Sequence, residues 1–146
     1  YITGSTDVDI ISNTVGYSGT QGIVIEASPS TFLINNNIGT LPNTTTPIPN
    51  TLDGILITTS SNSTVDGGNV FNNLGNGISI AANSQGVTIE ETLIFNNGGL
   101  GIDLNIDGGV TANDGAADAE RTIVPICLYS CRQPLPPGLK TLGSIG

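Results

Sequence analysis

The strongest constraint on this chain is a repeat. The stretch Val70 to Ile80, VFNNLGNGISI, returns 24 residues later as Ile94 to Leu104, IFNNGGLGIDL. Phe71, Asn72 and Asn73 are answered by Phe95, Asn96 and Asn97. The unit is one branched apolar residue, six residues rich in turn formers, then Gly-Ile-x-Ile/Leu, which describes two short strands joined by a bend. The same frame fits the first half of the chain. Apolar markers fall at Val15, Ile38, Val70 and Ile94, and glycines follow at Gly22, Gly54, Gly77 and Gly101. The distance from marker to glycine is seven in three units and sixteen (54 − 38) in the second, which therefore carries nine extra residues. Residues 41–50, LPNTTTPIPN, supply them and read as a surface loop. With the nine removed, successive markers lie 23, 23 and 24 residues apart.

A further marker precedes each of these: Val8 and Ile10, Thr31 and Leu33, Ser63 and Val65, Val87 and Ile89. Each unit thus contains about three segments alternating at period two, and none is long enough for a helix. That combination predicts an all-β solenoid, a single-stranded parallel β-helix of about four coils stacked about 4.8 Å apart. An antiparallel β-sandwich also has many short strands, but it gives no reason for markers to recur in phase. The register turns Ile23, Ile55, Ile78 and Ile102 inward as one column and Ile25, Ile57, Ile80 and Leu104 as another. Between them Val24, Leu56, Ser79 and Asp103 are expected to face outward into water. Asparagines at the bends (Asn13, Asn36, Asn37, Asn69, Asn72, Asn73, Asn96 and Asn97) read as coil-turning residues, through left-handed backbone and stacked amides, rather than as ligands.

Charge is distributed unevenly. The net charge is −9, all twelve carboxylates lie at or before Glu120, and the three cations, Arg121, Arg132 and Lys140, lie after it. A chain without a basic patch does not bind nucleic acid. With no histidine anywhere, Ser/His/Asp and Cys/His catalysis are excluded. No apolar run reaches 18 residues, so this segment is not expected to insert into a membrane. Four coils rise only about 19 Å and leave open ends that need caps, so an excerpt of a longer solenoid, continuing in a parent chain, is expected. Residues 1–120 form the repeat region. In residues 121–146 the period and the asparagines stop and four of the eight prolines cluster, so an irregular tail is expected there. A linker or cap, a cloning remnant and a shifted reading frame all fit it. Cys127 and Cys131 are too few for zinc.

With these columns, and with GLGIDLNIDGGVTANDGAADAE at Gly99 to Glu120, the chain resembles bacterial right-handed parallel β-helix repeat surface proteins of pectate-lyase-like architecture. The resemblance covers residues 1 to about 120 and implies a right-handed scaffold that is secreted or displayed at the cell surface. Relatives continue the acidic segment into an Asn/Phe/Pro-rich stretch, from which Arg121 onward departs.

Two constellations carry candidate chemistry. Asp103, Asn105 and Asp107, followed by Gly108, fit the first half of an oxygen-ligand loop for Ca²⁺, and Asp114 stands at the twelfth position, where a carboxylate would close it. The bland alternative is a solvated acidic turn. Asp66 and Glu90 each lie four residues before an apolar marker, so they should stack outward on adjacent coils about 5 Å apart, the spacing of a retaining glycosidase pair. The pectate-lyase-like enzymes that the resemblance evokes also use Arg, Lys or His, and residues 1–120 contain none. The outward series Glu26, Thr58, Ala81, Asn105 is no threonine ladder, which argues against ice binding. The sequence therefore leads to a non-catalytic scaffold of an exported protein, structural or in contact with a polysaccharide or cell-surface glycan. A fragment of a polysaccharide-active lyase or hydrolase is the alternative.

Overall fold

The computed structural model describes residues 1–42 and 46–109. The first coil consists of β1 (Ile2–Thr3), β2 (Asp9–Ile11) and β3 (Thr14–Val15). The second holds β4 (Ile23–Glu26), β5 (Phe32–Ile34) and β6 (Asn37–Ile38), and the third β7 (Ile55–Thr58), β8 (Thr64–Asp66) and β9 (Asn69–Phe71). The fourth holds β10 (Ile78–Ile80), β11 (Thr88–Glu90) and β12 (Leu93–Phe95), and β13 (Ile102–Leu104) begins another turn. Every third strand pairs in parallel, giving a first sheet β1-β4-β7-β10-β13, a second β2-β5-β8-β11 and a third β3-β6-β9-β12. This is the expected parallel β-helix.

The register is the one the repeat dictates. Ile23, Ile55, Ile78 and Ile102 form one vertical column, and Ile25, Ile57, Ile80 and Leu104 another, which Ile2 extends by one coil. Ile10, Leu33, Val65 and Ile89 stack in the second sheet, and Val15, Ile38, Val70 and Ile94 in the third. Ile25, Ile55, Ile57 and Ile78 are wholly buried. Each such side chain contributes about 1.5–3 kcal/mol when removed from water, which makes these columns the main source of cohesion.

At the corners the interior is polar, and the coils satisfy one another. Ser28, Ser60 and Ser84 are buried in one column. The backbone amides of Ser5, Ser28 and Ser60 each donate to the serine hydroxyl one coil on, at 3.2, 2.9 and 3.0 Å. A second ladder joins Asn50, Asn73 and Asn97: Asn50 Nδ2 donates to Asn73 Oδ1 at 2.7 Å, and Asn73 Nδ2 to Asn97 Oδ1 at 3.0 Å. Buried amides left unpaired would each cost about 1–3 kcal/mol, so this arrangement is required wherever a coil turns. Asn50, the last residue of the 41–50 stretch, therefore belongs to the coil itself, and the nine inserted residues lie between Thr40 and Asn50. Thr40 bridges Pro47 across the base of that insertion, and Ile48 within it tucks in beside Gly16.

The asparagines divide into two roles. Of the eight expected at bends, only Asn72 and Asn96 have left-handed backbone, with φ of 65° and 53°. Asn13, Asn36, Asn73 and Asn97 act instead through side-chain bonds to a neighbouring coil, while Asn37 and Asn69 lie within strands. Left-handed corners are shared by other residue types, as in the series Ser12, Asn35, Gly67 and Glu91, with φ from 48° to 63°. Three of the marker glycines, Gly22, Gly54 and Gly77, serve space, not φ. A Cβ on Gly54 would fall 2.7 Å from Gly77 O, Asn73 Nδ2 and Val70 Cγ1.

Two consequences are measurable by urea unfolding. Gly54→Ala should lose about 1–3 kcal/mol, because backbone and ladder atoms surround the new methyl group. Glu91→Asn should gain about 0.5–1 kcal/mol, because Asn tolerates the left-handed conformation that Glu91 adopts at a cost.

Candidate functional site

Three outer features of the coil carry polar or aromatic groups in register. On the second sheet, β8 and β11 pair so that Asp66 lies directly beside Glu90. Both are half-buried, and the column continues through Ile34 to Ile11. The structure thus places the two acidic residues side by side as expected, their backbones one strand spacing of about 4.8 Å apart. Every Lys and Arg of the chain lies beyond residue 120, and histidine is absent, so residues 1–120 offer no side-chain cation to hold an acidic sugar.

The outer side of the first sheet departs from expectation. Ser79 and Asp103, expected to be wet, are 0% and 1% exposed. Asn76, at the corner before β10, reaches over the sheet. Its Nδ2 donates to Ser79 Oγ at 3.1 Å and to Asp103 Oδ2 at 2.9 Å. The same side chain accepts the Leu100 amide at 2.8 Å, while Asp53 Oδ1 accepts the Asn76 amide at 2.7 Å. Alternation along a strand decides which way a side chain points, but not whether a corner residue folds across it.

Beyond β13 the chain turns through two successive left-handed residues, Asn105 (φ 77°) and Ile106 (φ 58°). This brings the Gly108 amide back to Asp103 Oδ2 at 3.3 Å, and the Gly109 amide to Asp107 Oδ1 at 2.9 Å. Asp103, Asn105 and Asp107 are therefore gathered by one turn, whereas Asp114 lies outside the described residues. Among the described residues no three Asp, Glu, His or Cys side chains converge as a metal cluster.

A third feature escaped the sequence reasoning. On the outer face of the third sheet, Phe71 and Phe95 stack with ring centroids 4.2 Å apart and planes inclined by 19°. Phe95 is 42% exposed, and Phe71 is buried. Two positions before Phe71 on the same strand face, Asn69 donates through Nδ2 to Asn37 Oδ1 at 2.6 Å. Leu93, next in that series, is also exposed. The usable signal was the in-phase pair of phenylalanines, two places after Asn69 and Leu93.

A parallel β-helix with acidic and aromatic outer columns defines the class, and the comparison with known families agrees. The family described as a right handed beta helix region matches residues 1–117, and the chain belongs to it. No curated protein and no solved structure matches the chain.

Stacked like charges on adjacent strands oppose folding. Glu90→Gln should therefore stabilise the coil by a few tenths of a kcal/mol in low-salt buffer, and the gain should shrink as ionic strength rises. Thermal unfolding at two salt concentrations checks this.

Proposed function

We propose that this β-helix is a non-catalytic scaffold segment of an exported surface protein, and that the outer face of its third sheet contacts glycan. One observation carries the proposal: an exposed aromatic ring, Phe95, backed by Phe71, shares a sheet face with the carboxamides of Asn37 and Asn69. An aromatic plane offers the apolar side of a sugar ring a flat partner, while amides offer both donors and acceptors to its hydroxyls. The two rings hold each other in place, so little side-chain freedom is lost on binding. The absence of histidine, together with the placement of every side-chain cation after residue 120, supports contact rather than turnover. Export is supported by the resemblance of the repeats to exported surface proteins.

The Asp66 and Glu90 column supports a second reading, a polysaccharide-active enzyme that uses the two acids as nucleophile and acid. A glycan array followed by titration of the best ligand separates the two. Phe95→Ala should weaken binding about three- to tenfold, the worth of an aromatic contact of about 0.5–1.5 kcal/mol. Tyr17→Ala, an exposed aromatic outside the third sheet's strands, should leave binding unchanged. Release of sugar products that disappears in Asp66→Asn and Glu90→Gln would establish the enzyme instead. Binding indifferent to Phe95→Ala would overturn the assigned face.

A further inference from the structure

We propose that the end of β13 and the turn following it form a calcium site, with Asp103 Oδ1 and Asn105 Oδ1 as ligands. Asp103 is 1% exposed, and its two oxygens are treated unequally. Oδ2 receives hydrogen bonds from Asn76 Nδ2 and the Gly108 amide, at 2.9 and 3.3 Å. Oδ1 is buried and accepts none from the described residues. Two residues on, the Oδ1 of Asn105 is likewise buried without a hydrogen bond. Two acceptor oxygens without a donor among the described residues, one of them on a carboxylate, thus belong to residues two apart at one strand end.

Leaving such oxygens dry is expensive. A buried unpaired carboxyl oxygen costs several kcal/mol unless something positive meets it. No side chain of residues 1–120 carries a positive charge, so an ion pair cannot come from the repeat region itself. A hard cation satisfies both oxygens at once, because it needs acceptors only and takes carboxylate and amide oxygens alike. The backbone supports this choice. The left-handed pair Asn105 and Ile106 curls the chain around the Asp103 carboxyl, and the Asn76 and Gly108 donors fix Oδ2. That leaves Oδ1 as the atom available for coordination. Asp107, exposed on the same turn, supplies a second carboxylate within the reach of one short loop.

Ligand composition sets the affinity and the choice of ion. With one buried carboxylate, one exposed carboxylate and neutral oxygens, the site belongs to the weak class of extracellular calcium modules, with Kd about 10⁻⁴–10⁻³ M. Mg²⁺ demands near-octahedral geometry and gives up its waters reluctantly, so a loop supplying few protein oxygens prefers Ca²⁺. The inference does not rest on the glycan reading, because its residues belong to a different sheet.

Isothermal titration of the full chain with CaCl₂ and MgCl₂, paired with thermal unfolding, tests the site. One Ca²⁺ per chain in the stated range, with a rise in Tm and weaker binding of Mg²⁺, is expected. Asp103→Asn should weaken Ca²⁺ binding at least about tenfold, as loss of the site's buried carboxylate implies. Asn105→Asp should tighten it by about tenfold, since ligand charge governs affinity, and a misfolded variant cannot mimic tighter binding. The double variant Asp66→Asn, Glu90→Gln should bind as the parent does. Absence of both heat and a Tm shift at about 10 mM Ca²⁺, far above the Kd expected for this class, would overturn the site. So would unchanged affinity in both Asp103→Asn and Asn105→Asp, or loss of binding in the Asp66 and Glu90 variant.

Discussion

Parallel pairing at a fixed interval is the constraint on which everything else here depends. When each strand lies beside its own counterpart one coil away, every residue is stacked on its equivalent, so whatever chemistry a position carries is repeated along the axis. For isoleucine this is favourable at once, since Ile55, Ile78 and Ile102 stack into a continuous apolar column. For polar residues it is favourable only when one group donates what the next accepts. Serine and asparagine meet that condition, because each carries both functions, and they occupy the buried corners as ladders. A carboxylate does not meet it, and the stacked acids lie half-exposed on the outside at Asp66 and Glu90.

The corners impose a second condition, local in origin. A coil that changes direction within two or three residues needs left-handed backbone at defined positions, and it accepts that conformation even at Ala27, Thr59 and Glu91. Such residues are strained by about 1–2 kcal/mol each, and they hold because the parallel pairing on either side fixes them. Where backbone must approach backbone, side chains are excluded instead. Gly77, for example, lies so near Gly101 O that a Cβ there would come within 2.5 Å of it. Left-handed strain and close approach are distinct demands, and only the second explains Gly22, Gly54 and Gly77.

Function on such a scaffold belongs to its outer surface, where repetition is free to lapse. The third sheet changes from Thr14 and the carboxamides of Asn37 and Asn69 to Leu93 in one column, and ends in two phenylalanines in the next. The first sheet changes from Val24 and Leu56 to Ser79 and Asp103. Both changes lie from the third coil onward, so the aromatic and oxygen-rich features fall toward the C-terminal side of the described coils. The interior columns keep their character along the whole length, apart from hydroxyls at Thr31 and Ser63, which bond to the carbonyls of Ser28 and Ser60.

The sequence by itself determined the coil, its period, the inward columns and the pairing of Asp66 with Glu90, because a repeat length and a two-residue alternation together specify which residues lie side by side. It also indicated where the insertion falls, to within one residue. Only the tertiary structure decided that Asn50 completes a buried amide ladder, that Asn76 closes over Ser79 and Asp103, and that two carboxamides and a pair of stacked rings share a face. Those outcomes depend on where the free end of a side chain goes once several coils surround it. Periodicity fixes the direction of a Cβ, whereas hydrogen-bond partners and burial are set by neighbours 23 to 32 residues away in the chain.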